Sequence, residues 1–169
     1  MSVKDYVGKA TKIKQSTTFD IKELYKNLKK WIEDRGYKIS EPNYSEKPTA
    51  EGKTTSFFWS CGKKAETYTK LALELNFNAQ TKDITIDKDE KTQTLQQGEV
   101  EIIINTYISR DIEDDWAIRE KSGIFRFLRE IYDSFTKKNT YGSYEDKLQK
   151  DKEAIVYDIK TYLKMQRFD

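Results

Sequence analysis

Histidine is absent from this chain, and cysteine occurs once, at Cys61. Without histidine there is no Ser-His-Asp or Cys-His nucleophilic site, no histidine general base and few routes to a zinc site. A lone cysteine excludes an intrachain disulfide and fits a reducing compartment. The pattern sets Cys61 on a strand with an inward side chain, a small core residue rather than a thiolate nucleophile. The 7 glycines are scattered. None falls in a G-x-x-x-x-G-K-[ST] or G-x-G-x-x-G spacing, so no phosphate-cradling loop is expected. Long apolar runs are missing too. The opening MSVKDYVGKATKIKQ offers no signal-peptide core, and no later stretch resembles a membrane span. The expectation is a cytoplasmic protein with no membrane contact and no cofactor.

Charge of one sign is also missing. The 31 basic residues are nearly matched by 29 acidic ones, for a net +2. A dedicated nucleic-acid binder usually carries a larger basic excess. That partner is therefore an alternative rather than the leading expectation. It would use Lys9, Lys12 and Lys14 with an arginine stripe at Arg119, Arg126 and Arg129. The stripe is equally the solvated face of an amphipathic helix.

Aromatic residues are plentiful, with 3 Trp, 11 Tyr and 8 Phe. Disordered chains are poor in aromatics, so a packed core is expected. The organising stretch is Ala65 to Phe77. Leu71, Leu73, Leu75 and Phe77 alternate with Lys70, Ala72, Glu74 and Asn76, the period of a strand with one apolar face. Val100, Ile102 and Ile104 alternate in the same way within Glu99–Arg110. These two strands should form the centre of an antiparallel sheet.

The clearest helix runs from Phe19 to Tyr37. Asp20 and Glu23 make a D-x-x-E capping box, and Phe19 and Leu24 occupy the staple positions. Ile21, Leu24, Tyr25, Leu28 and Ile32 form one stripe, and Gly36 suits the left-handed position after the last turn. A weak, lysine-bearing strand at Val7–Thr17 suits a sheet edge. Tyr37–Tyr44 reads as a short strand, followed by a loop with Pro42, Pro48 and Gly52. Lys53–Cys61 reads as a strand, Gly62-Lys63-Lys64 as a tight turn, Ile84 and Ile86 as a further strand, and Asp87–Gln97 as a polar connection with a hairpin arm near Thr92–Leu95. Two helices follow, at Glu113–Lys138 and from Ser143 onward, the second capped by S-x-x-D and carrying Leu148, Ile155, Ile159, Tyr162 and Leu163 inward. Residues 1–169 thus spell one α+β domain of order β-α-β-β-β-β-β-α-α. It is a mainly antiparallel sheet of about five strands packed by one early helix and two C-terminal helices.

Two acidic clusters have ordinary explanations. Asp87, Asp89 and Glu90 lack the glycine of a calcium loop and suit a solvated hairpin turn. Asp111, Glu113, Asp114 and Asp115 stand where a helix dipole favours negative charge. No enzymatic activity is expected.

Strand parity makes one further statement. If the leucines and isoleucines face the helices, then Phe58, Tyr68, Ile103 and Tyr107 share the opposite face. An open sheet face should be mostly polar. Three explanations stand: a C-terminal helix crosses over to cover it, sheet twist buries it on the first helix, or another protein chain, a partner or a second copy in self-association, docks there. The third makes the chain a non-catalytic interaction or assembly module, with those four residues as the partner-binding set. The order of elements is also topologically similar to helix-grip proteins, in which a curved sheet wraps a helix around a pocket. That resemblance implies a small apolar ligand and assigns no residue.

Overall fold

The computed structural model describes residues 2–66, 69–111 and 141–167. Among these residues six strands form one antiparallel sheet, and two helices pack on one of its faces. The elements are β1 (Ser2–Tyr6), β2 (Thr11–Phe19), α1 (Ile21–Asp34), β3 (Lys38–Thr49), β4 (Gly52–Lys64), β5 (Thr69–Lys88), β6 (Lys91–Asp111) and α2 (Tyr141–Arg167). The sheet order is β1-β6-β5-β4-β3, with β2 also paired to β6. The helix expected at Glu113–Lys138 lies outside the described residues.

The strand count is six rather than five. The edge strand expected at Val7–Thr17 is β2, and an unexpected strand, β1, precedes it, the two laid end to end along β6. β1 pairs with Tyr107–Asp111 and β2 with Gln96–Ile104. Between them Gly8 takes a φ of +70°, a left-handed conformation that glycine adopts without steric cost. The separate strand expected at Ile84 and Ile86 is the far half of β5, which runs unbroken for 20 residues. The polar connection after it is the returning half of the same hairpin, as in the pair Ile84 with Leu95. Only Asp89 and Glu90 turn the chain, both at positive φ, and the Thr92 hydroxyl donates to Asp87 beside them.

β4 extends through Gly62, Lys63 and Lys64, the residues expected to turn. The chain reverses after them, where Ala65 N–H donates to the Thr69 carbonyl. β3 continues through Pro42 and Pro48 instead of stopping at Tyr44. It is the last strand of the sheet, and an edge tolerates residues that cannot donate.

The early helix follows its sequence signals. The Asp20 side chain accepts from the N–H groups of Lys22 and Glu23, at 3.0 and 3.3 Å. Gly36 lies at φ +90° and donates to the Glu33 carbonyl. Leu24, Leu28 and Ile32 are fully buried against Leu73, Leu75, Ile102 and Ile104. Leu148, Ile155, Ile159 and Leu163 of α2 join the same core. This helix starts before Ser143, so that residue lies inside the helix and is not its cap. Among the described residues no helix is long and apolar enough to cross a membrane.

Candidate functional site

Both described helices cover the inner face of the sheet, so neither crosses to the other side. The outer face is built in rows by the strand register. One row runs Asn43, Phe58, Asn76, Ile103, Lys12 from β3 to β2. Its neighbour runs Ser45, Ser56, Asn78, Glu101, Lys14. On the other side come Ser60, Glu74 and Asn105, and beyond them Gly62, Ala72, Tyr107 and Tyr6.

Phe58 and Ile103 therefore stand two strands apart in one row, with Asn76 between them. Both are half-buried. They line an open groove of about 420 Å³, shared with Asn43, Ser45, Ser56, Asn78 and, at its edge, Glu101. No side chain among these amides and hydroxyls has a hydrogen-bond partner among the described residues. Their donors and acceptors are unspent. That volume is within the usual range of small binding clefts.

Tyr107 shares the face but not the groove. It lies four residues from Ile103 along β6, beyond the Glu74–Asn105 row, and is only 6% exposed. The Tyr6 ring covers it at 5.4 Å, and the Lys4 ammonium lies 4.8 Å above its centre. Lys4 also pairs with Glu74 at 3.5 Å. Tyr107 first, and Glu74 with it, raise the Lys4 ammonium above its ordinary pKa, while burial opposes them. Tyr68 lies outside the described residues. Of the four residues that parity selects, two meet in a groove and one belongs to a separate cluster.

The alternation pattern alone does not mark Tyr6, Asn43, Ser45, Ser56 and Asn78. Asn78 could have been found by extending the alternation of β5 past Phe77. Asn43 and Ser45 could not, because the pairing of β3 shifts between Ser40 and Asn43. A β-bulge of that kind changes which residue faces which side.

The ionic groups beside the groove are matched. Lys12 pairs with Glu101 at 3.4 Å and Lys14 with Glu99 at 3.3 Å. Of the lysines suggested for nucleic acid, Lys12 and Lys14 thus have acidic partners across the strand, while Lys9 pairs with no carboxylate among the described residues. Arg119, Arg126 and Arg129 lie outside the described residues, as do Glu113, Asp114 and Asp115. Cys61 is buried, and burial pushes its thiol up to about 12, so it is no thiolate at neutral pH. Among the described residues no group of three or more Cys, Asp or Glu side chains could hold a metal ion. No protein-family model, curated protein or solved structure matches this chain.

Proposed function

We infer that this protein is a non-catalytic interaction module that holds another protein chain on the outer face of its sheet. The observation that carries this reading is the groove itself. A half-buried aromatic ring and an isoleucine stand among five amide and hydroxyl side chains with no hydrogen-bond partner among the described residues. Rigid aromatic anchors surrounded by Asn and Ser are the composition of adaptable protein-binding surfaces. Depletion of unpaired charge at the centre is a second mark of such surfaces. Here the nearby charges are satisfied in pairs. A phosphate backbone would need cations that are free to meet it. The same reading sets the chain in the cytoplasm, where a lone buried thiol stays reduced.

The test is sedimentation of Phe58→Ser with Ile103→Ser, against parent protein, beside a thermal melt. Truncating a central anchor costs more than about 1–2 kcal/mol of binding, so association should weaken about tenfold or more. Unchanged association with a normal melt would overturn the reading.

A further inference from the structure

A second surface lies on the inner side of β3, away from the groove. β3 ends the sheet, so one of its backbone edges has no strand beside it among the described residues. Pro42 and Pro48 lack N–H donors and bracket the five residues Asn43–Lys47. A short extended segment can pair along that stretch, and a long flat one cannot.

Glu41 sits where the β3 pairing is irregular. Its Oε2 accepts from the Tyr25 hydroxyl and from Trp59 Nε1, each at 2.7 Å. Its other oxygen has no donor, and no basic side chain pairs with it, among the described residues. Tyr44 stands close by, 48% exposed. One face of its ring lies parallel to Phe57 at 6.1 Å, and Tyr25 meets it edge-on at 6.3 Å. Its hydroxyl donates to Glu46 at 2.5 Å, and Lys53 answers Glu46 alone, at 3.8 Å. The ring is held by these two neighbours while about half of the residue, 48%, stays exposed. Burial, then the carboxylates, push the Tyr25 and Tyr44 hydroxyls up to about 12, so both remain donors at neutral pH.

A flat open ring beside a carboxylate with a spare oxygen fits one side chain best. A guanidinium stacks on an aromatic face and donates in-plane to a carboxylate; an ammonium does only part of this. We propose that this corner of β3 is a docking site for an arginine carried on an extended segment of another protein, its guanidinium stacked on Tyr44 and bonded to Glu41. The segment adds to the sheet along Asn43–Lys47, so main-chain pairing supplies affinity and the arginine supplies specificity. The segment would run past Asn43 and Ser45 at the rim of the groove, but the arginine docks at Glu41 and Tyr44, which do not line it.

The probe is the peptide acetyl-Thr-Val-Arg-Val-Thr-amide, followed by amide chemical shifts of the full chain at low salt. Citrulline in place of arginine gives a neutral peptide of the same shape. The expected result is saturable shifts confined to β3 and its neighbours, with the citrulline peptide at least tenfold weaker. Glu41→Gln keeps an acceptor for Tyr25 and Trp59 while removing the charge, and should weaken the arginine peptide tenfold or more. Tyr44→Leu should do the same, and Tyr157→Ser on α2 should change nothing. The proposal is overturned if both peptides bind equally, if no shifts appear at β3, or if Glu41→Gln and Tyr44→Leu bind like the parent. A dimer that Tyr44→Leu dissolves would put a second copy on this edge and overturn it as well.

Discussion

Asn76 separates Phe58 from Ile103 in a single register row, on the side of the sheet that α1 and α2 leave uncovered. The spacing of neighbouring strands puts the ring and the isoleucine on the order of 10 Å apart. That is a span for one partner side chain, or for two, between them. Their backbones are fixed by the sheet core directly beneath, where Phe57, Phe77 and Ile102 are all buried.

That core can be tested by one pair of substitutions. Leu73 is fully buried and Lys70 is exposed. Leu73→Ala should cost about 2–5 kcal/mol, as for a buried leucine whose site cannot fully collapse. Lys70→Ala should stay within about 0.5 kcal/mol. Urea denaturation midpoints measure both. Equal effects would mean that the inward parity of β5 is wrong.

Tyr107 is buried outside the groove, and the expectation is that it serves stability. Its ring is covered by Tyr6, and Lys4 lies over it. Tyr107→Ser should therefore lower stability by about 2–4 kcal/mol, as for removal of a mostly buried aromatic ring. Partner binding by the folded fraction should not change. Binding lost at full stability would return Tyr107 to the partner-binding set.

The sequence made the outer face legible, but not the distances along it. A period of two says which side a residue takes, and so it joined Phe58, Ile103 and Tyr107 correctly by side. It carries no register between strands, and register is what separates Tyr107 from the groove. β1 and Tyr6 were illegible for a related reason. A five-residue strand that pairs with the end of β6 has too few alternations to show a pattern. The helix α1 was legible almost to the residue because its cap, stripe and glycine stop are all local. The prolines of β3 misled, since proline punctuates most chains and is tolerated only at a sheet edge. Edge position is a fact of topology that no local window contains.

Alkaline pH should expose the buried thiol. Cys61 has its pKa raised from 9.0 to about 12 by burial. A raised folded value means that the neutral thiol stabilises the fold fully below pH 9, and that this contribution is lost as pH rises towards 12. Above pH 9 the unfolded chain has given up the proton and the folded chain still holds it. The parent should lose up to about 1.4 kcal/mol per pH unit from this group alone. Cys61→Ala should show a flatter decline between pH 9 and 10, below the range in which Tyr25 and Tyr44 titrate. Denaturant titrations at three pH values measure the difference. Parallel curves for parent and variant would show that Cys61 is less enclosed than its position implies.

The groove makes the sharpest demand on Asn76. Its side chain is exposed, sits midway between Phe58 and Ile103, and has no hydrogen-bond partner among the described residues. Asn76→Lys removes nothing that the fold uses, so the melting temperature should hold, as for an ordinary surface substitution within about 0.5 kcal/mol. For a docked chain the change is severe. An ammonium at the centre must lose its water, and the carboxylate in the neighbouring row, Glu101, is already paired with Lys12. A buried charge without a partner costs far more than a lost contact. Association should weaken tenfold or more, a loss of about 1.4 kcal/mol. The same lysine would strengthen binding to a nucleic acid by adding a free cation to the face. One substitution thus moves the two readings in opposite directions. Sedimentation with the partner chain and a salt titration with single-stranded DNA read them separately. Tighter DNA binding with undiminished protein association would overturn the protein-partner reading.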